Sequence, residues 1–249
     1  MHLKRVMLLH EKFPTKEFYP FNLEILQRTK RIEFKSPVTF FVGENGSGKS
    51  TLLRAVSHKC GVHIWHGETR RRFEKNMYED KLYRAIAIEW IGDAVPGSFF
   101  ASEHFQDFAQ LLDEWADETP DILDYFGGKS LMTQSHGQSI LAFFKARYER
   151  EGIYFMDEPE TALSPRSQLE LLKLLDTMGK AGHAQFVIAT HSPILLSCPD
   201  AVIYDFNRVP IREISYEETE PYRIYRDFFR EMEKRFSRGE EMFAERSTK

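Results

Sequence analysis

Cysteine is nearly absent from this chain: 249 residues contain two, Cys60 and Cys198. Neither has a CxxC partner or a neighbouring histidine pair, so the thiols read as reduced, packed side chains rather than a disulfide framework or a metal site. Long apolar runs are missing too. The longest, such as Val38–Val42 and Gln185–Ala189, fall far short of the roughly 20 residues that a membrane-spanning helix needs, so no direct membrane insertion is expected. The amino-terminal apolar run, Val6–Leu9 after Lys4 and Arg5, is too short for a secretory core, which makes cytoplasmic the expected localisation. Charge of one sign is also lacking. With 34 Lys+Arg against 38 Asp+Glu the formal net charge is −4, and nothing in that balance demands nucleic acid. No internal repeat and no low-complexity linker is found. What remains, 42% hydrophobic and 29% charged residues, is the composition of a globular chain long enough to bury a sizeable core.

Three apolar runs, Pro37–Val42, Gly152–Met156 and Gln185–Ala189, are nearly unbroken rather than alternating, as in strands covered on both faces by helices. They predict the centre of a parallel sheet. Between the second and third, Ser164-Pro165 starts a helix whose apolar positions Leu171, Leu174, Leu175 and Met178 repeat at i, i+3, i+4, i+7, with Gly179 and Gly182 ending it. Val62–Trp65 and Leu82–Ile91 predict an antiparallel flank. From His104 to Phe144 the spacing is helical, with breaks at Pro120 and Gly127-Gly128, predicting a helical lobe (about 101–149) inserted into an α/β core (about 1–100 and 150–249) of one domain. Tyr222–Phe243 is a charged, aromatic helix, and docking on the core is the expectation for it, with a partner-binding helix as the alternative.

Gly43-Glu44-Asn45-Gly46-Ser47-Gly48-Lys49-Ser50-Thr51 matches the phosphate-loop pattern GxxxxGK[ST], after a strand and opening a helix, the context such a loop requires. Its glycines let successive N–H groups turn inward, and the helix N-terminus adds partial positive charge. Lys49 would reach the β and γ phosphates, Ser50 would offer a hydroxyl to Mg²⁺, and Thr51 would contact the α phosphate. Asp157-Glu158 ends the second core strand, placing two carboxylates at the edge where open α/β sheets bind ligands. Asp157 suits the Mg²⁺ shell; Glu158, one residue further out, suits polarising the attacking water. His191 follows the third core strand, where an imidazole can bond a γ phosphate or orient the water.

Together these residues resemble the Walker A, Walker B and H-loop elements of ABC ATPases. Between the two Walker elements Gln134-Ser135-His136-Gly137-Gln138-Ser139 resembles the ABC signature LSGGQ, matching at Ser135, Gly137 and Gln138 and departing at Gln134 and His136. The resemblance implies a P-loop NTPase core with a mostly parallel sheet, ATP and Mg²⁺ as ligands, and an ATP-dependent homodimer in which Ser135 of one copy caps the phosphate held by the other. The Asp-Glu-Pro-Glu-Thr-Ala-Leu-Ser-Pro and Ala-Thr-His-Ser-Pro segments resemble the non-transporter branch, with RecF-like, OLD-like and SMC-like heads. That branch implies action on another macromolecule, in DNA maintenance or defence. The alternatives are the ATP-binding subunit of an ABC transporter and an ATP-gated scaffold with little hydrolysis. Where this family places its Q-loop glutamine the chain has Glu103, with Gln106 one turn on; Glu103 is the expected Mg²⁺ sensor. Phe18 and Tyr19 are read as packing residues with adenine stacking as the alternative. Arg70-Arg71-Arg72, with Lys75 and Lys81, reads as a solvated loop, with nucleic-acid contact as the alternative.

Overall fold

Strands that are apolar on both faces must be covered on both faces, and that requirement organises the chain. The computed structural model describes residues 1–64, 76–126, 128, 130, 132 and 136–247. Its main sheet has six strands, in the order β5 (Gly97–Ala101), β6 (Gly152–Asp157), β7 (Ala184–Ala189), β3 (Val38–Val42), β8 (Val202–Asp205) and β9 (Arg212–Ile214). Neighbours run parallel except β8 and β9. Every residue of β3, β6 and β7 is buried. A second sheet of three antiparallel strands, β2 (Arg31–Glu33), β1 (Leu3–Leu8) and β4 (Ile86–Trp90), forms the expected flank.

One face of the main sheet is covered by α3 (Phe105–Glu118), α4 (His136–Tyr148), α5 (Pro165–Lys180) and α6 (Pro193–Leu196), in a core that includes Phe105, Leu112, Phe144, Leu171 and Leu175. Here Tyr148, Tyr154 and Phe186 meet ring to ring at 4.5–5.6 Å. The other face is covered by α1 (Glu24–Arg28), α2 (Lys49–Lys59) and the small sheet, with Leu52, Leu53 and Val56 against Phe41, Phe155 and Val187. Register then decides what emerges where. Ala101 pairs with Asp157, Asp157 with Ala189, Phe41 with Ala189 and Val42 with Asp205, so five strands end level along one edge.

Several expectations are corrected. Residues 62–64 form no strand, although Val62 is buried, and Trp65 lies outside the described residues. Gly179 does not end α5 but sits inside it, where a Cβ would stand 3.3 Å from Pro37; the absent side chain lets the helix approach the start of β3. The reversal falls at Gly182, with φ +80°. Most consequentially, among the described side chains of α7 (Glu220–Ser247) contact with the core lies at its start, and Tyr225, Phe228, Phe229 and Phe236 remain exposed. The periodicity was that of a helix with an apolar face, but the core leaves that face uncovered from Tyr225 to Phe236. Both cysteines are free, and burial pushes each thiol up to about 12.

Two side chains tie the sheets together: the Tyr204 hydroxyl on β8, which bonds the Glu33 backbone on β2, and the Gln185 amide. Gln185, fully buried on β7, accepts from the N–H groups of His2 and Leu3 at 2.7 Å each and donates to the Leu3 carbonyl at 2.9 Å. Gln185→Leu keeps the volume but leaves these backbone groups unpaired, at roughly 1–3 kcal/mol for an orphaned group. We expect a loss of about 2–4 kcal/mol, hence a fall in Tm of roughly 5–15 °C in thermal denaturation, from a change that adds apolar surface to the core.

Candidate functional site

The level strand ends deliver the site. After Val42 the chain turns through Gly43, Gly46 and Gly48, with φ of +154°, +82° and +100°. At Gly43 no side chain fits: a Cβ would lie 2.9 Å from the Cβ of Phe206 and 3.0 Å from Asn207 Oδ1 and Ser47 Oγ. The Asn207 side chain fixes the loop from outside, accepting from the Glu44 N–H at 2.7 Å. Lys49, the first residue of α2, is only 4% exposed, and its ammonium donates to the carbonyls of Gly43 at 2.6 Å and Glu44 at 2.9 Å. An ammonium has three donors, so one is left for a ligand oxygen. Burial lowers its pKa, and the charges of Glu158, Asp157 and Glu160 oppose that shift.

Ser50 donates to Asp157 Oδ1 at 2.7 Å, joining the phosphate loop to the end of β6. One turn along α2, Arg54 donates to Glu103 at 2.7 Å and lies 3.4 Å from Asp157 Oδ2. Burial raises the Asp157 pKa, against the Ser50 hydrogen bond and the Arg54 charge. Glu158 adopts the left-handed region, φ 48° and ψ 55°, which a residue with a side chain visits at a cost. Its carbonyl is held there by the hydroxyls of Ser102 (2.8 Å) and Thr161 (2.9 Å). The turn brings Glu158 Oε1 to 3.8 Å from His191 Nε2, too long for a hydrogen bond. That imidazole nitrogen is buried and has no partner in the structure. Burial and then the charge of Lys49 lower the His191 pKa, so the ring is neutral near pH 7. Glu160 secures the loop beneath it, its Oε1 accepting the His191 backbone N–H at 2.6 Å.

Two hollows flank Lys49. Ser50, Arg54, Ser102, Glu103, Asp157 and Glu158 contribute to a cleft of about 180 Å³. Glu44, Asn45, Gly46, Ser47 and Asn207 border a groove of about 430 Å³. The lining is polar, and the buried side-chain atoms without a partner in this region include Ser47 Oγ and Arg54 Nε of the lining and His191 Nε2 beside Glu158. The Ser50 and Asp157 oxygens suit a hard divalent cation that takes its other oxygens from phosphate and water.

The structure brings together Gly43, Asn45, Gly46, Ser47, Gly48, Lys49, Ser50, Asp157, Glu158 and His191. Glu103 lines the same cleft but is engaged by Arg54. Thr51 Oγ1 is 2.7 Å from the Tyr19 hydroxyl, which places that exposed aromatic beside the loop. Gly137 and Gln138 are not in either hollow; a Cβ on Gly137 would face Ala162 and Ser167 at 3.6 Å. Gln134, Ser135 and the Arg70–Arg72 and Lys75 cluster lie outside the described residues, as does the side chain of Gln106. Arg54, Glu160 and Asn207 were missed as site residues. Arg54 is four residues after Ser50 and so shares its helix face, and Asn207 follows a strand that ends level with β3; both positions were readable once the strands were aligned.

Glu160 gives a specific expectation. Glu160→Ala leaves the His191 N–H without its acceptor and frees the loop, so turnover should fall at least about tenfold with ATP affinity kept, while Glu160→Gln, which retains an accepting oxygen, should keep most of the rate. Steady-state kinetics alongside nucleotide titration measures both.

Comparison with known proteins agrees with this geometry in part of the chain at a time. The model of an AAA ATPase domain matches residues 134–196, and that of an AAA domain matches residues 16–58. The chain is 23% identical over 212 residues to the petrobactin import ATP-binding protein FpuD of Bacillus anthracis, covering 79% of this chain and 77% of that one. It is 28% identical over 200 residues to the phosphate import ATP-binding protein PstB 1 of a Synechococcus strain, covering 70% of each. Among solved structures, similarity extends to a putative metal-chelate type ABC transporter in an inward-facing conformation (TM-score 0.49, 16% identity, 88% of this chain and 85% of that chain). It extends also to the SMC head domain from Thermotoga maritima (TM-score 0.48, 18% identity, 86% of this chain and 99% of that chain). The phosphate loop and the strand-end carboxylate pair each fall within a matched segment, and together these findings support an AAA/ABC-type P-loop ATPase head.

Proposed function

We propose that this head binds Mg²⁺–ATP over Lys49 and hydrolyses it with Glu158 as general base, in composite sites formed by two copies of the chain. The observation that carries the reading is the meeting of Lys49, Asp157, Glu158 and the unpartnered His191 imidazole at one sheet edge. Lys49 supplies a fixed positive charge to the β and γ phosphates. Ser50 and Asp157 would hold Mg²⁺, whose chemistry is to neutralise charge on the phosphate oxygens. Glu158 takes a proton from the attacking water, and neutral His191 offers Nε2 to the γ phosphate or that water. Thr51 contacts the α phosphate. The signature residues Ser135, Gly137 and Gln138 act across the dimer, a reading supported by Gly137 facing Ala162 and Ser167 and lining neither of the two hollows beside Lys49.

The work driven by that closure has two candidate classes. DNA maintenance or defence follows from the resemblance to non-transporter heads. The import ATP-binding proteins among the relatives favour the other class, in which the chain energises a separate membrane-embedded partner. No helix among the described residues is long and apolar enough to cross a membrane, so in that case the spanning part belongs to the partner. Native-host copurification distinguishes them: a multi-span membrane protein supports transport, a nuclease or bound DNA supports the first class.

Two substitutions separate binding from chemistry. Lys49→Ala should weaken ATP binding at least about tenfold, as expected for losing a charge-assisted contact, with the fold intact. Glu158→Gln should bind ATP normally and lose about 10²–10⁴ in kcat, the usual worth of a general base, while accumulating an ATP-bound dimer. Calorimetry and turnover assays read the two effects separately; normal turnover in Glu158→Gln would remove Glu158 from the reaction.

A further inference from the structure

Helix α7 carries a seam that its own head leaves uncovered. Tyr222, Tyr225, Phe229, Met232 and Phe236 are spaced 3-4-3-4, the 3.5-residue repeat of a coiled-coil seam. The first of them is held by the head, its ring 4.6 Å from that of Tyr216. Beyond it Tyr225, Phe228, Phe229 and Phe236 are 51%, 53%, 56% and 71% exposed. At about 200 Å² per aromatic side chain this is roughly 450 Å² on one helix and about 900–1,000 Å² on two, the lower bound for a specific interface. The segment from Glu220 to Ser247 has seven basic and seven acidic residues, which gives no positive excess for an anionic lipid surface or nucleic acid.

We propose that α7 is a nucleotide-independent dimerisation element whose partner is α7 of a second copy of this chain, packed antiparallel. Charge and register favour that occupant. Antiparallel alignment layers Phe229 on the partner's Met232 and Tyr225 on the partner's Phe236. It also sets Arg226 beside the partner's Glu233 and Phe228 beside the partner's Arg235, an ion pair and a cation–π contact that the two-fold axis repeats. A parallel alignment matches that ion pair with one between Arg235 and the partner's Glu240, but it places Arg226 by the partner's Pro221 and Phe228 by the partner's Glu233, where the ring meets a carboxylate instead of a cation. The helix is rooted at the nucleotide site: Asn207, which accepts the Glu44 N–H, donates to Glu220 at 3.4 Å. Paired tails would therefore hold two phosphate-loop edges at the millimolar effective concentrations of tethered modules, making ATP-driven closure an intramolecular step.

The test uses full-length Lys49→Ala protein without nucleotide, so that head closure contributes nothing. Sedimentation at tens of micromolar should give a dimer, and adding Phe229→Asp with Phe236→Asp should give a monomer with unchanged far-ultraviolet circular dichroism. Under mild oxidation, Phe229→Cys protomers should cross-link to Met232→Cys protomers in preference to themselves. A monomeric starting protein, a dimer that survives both aspartates, or self-cross-linking at either position that equals or exceeds the mixed cross-link would overturn the proposal. The head-closure reading is scored separately, by whether the two aspartates leave the ATP-bound dimer of Glu158→Gln intact at high concentration.

Discussion

A buried ammonium is the constraint on which the rest of this molecule depends. Lys49 stands 4% exposed at the start of α2, in an environment that disfavours its charge. It remains a useful cation because two loop carbonyls accept from it and the negative charges of Glu158, Asp157 and Glu160 oppose the effect of burial. The carbonyls belong to its own loop, but the carboxylates come from a distant stretch of the sequence, and the level ends of β3, β6 and β7 bring them to it. The same charge reaches further, since it helps to keep His191 neutral and so able to accept or donate at either nitrogen. The parallel sheet is thus less a container than an alignment device for one cation and its counter-charges.

Much of this was legible before any coordinates. The phosphate loop, the Asp157-Glu158 pair and His191 could be placed because each follows an apolar run, and a parallel sheet sends all such positions to one edge. Harder to read were contacts made by ordinary residues at long sequence separation. Glu160 bonds a backbone group 31 residues away, and Gln185 bonds His2 and Leu3 more than 180 residues away; the segment holding Glu160 resembles a known motif without disclosing that bond, and Gln185 leaves no periodic or motif signal. The failure at α7 is of another kind. Helical amphipathicity says that a face wants covering, and the docked reading assumed that the cover came from the same chain. At Gly179 the local rule for glycine was outvoted by a packing need, the close approach of α5 to Pro37.

Glu158 and Glu103 show how the site differs in detail from the simplest picture of two free carboxylates. Glu158 is held in a left-handed backbone conformation by Ser102 and Thr161, so its side chain is aimed by strain stored in the turn. Glu103, expected as a metal sensor, is bridged by Arg54 toward Asp157, which makes it an outer partner of the cleft whose effect on a cation would pass through the guanidinium. The site in one chain is also one-sided: α4, which carries Gly137 and Gln138, lines neither hollow.

That one-sidedness makes the central claim directly measurable. If each catalytic site joins Lys49 of one copy to Ser135 of the other, then Lys49→Ala and Ser135→Arg proteins are each inactive alone. Mixed in equal amounts with free exchange, about half the dimers contain one intact site, so roughly a quarter of normal turnover should return if the sites act independently. Cross-linking verifies that mixed dimers form. Restored turnover is the predicted result; mixed dimers that form under ATP and stay inactive, together with full-strength single-site activity in a linked dimer carrying both lesions in one half, would contradict the account by placing Ser135 in its own chain's site.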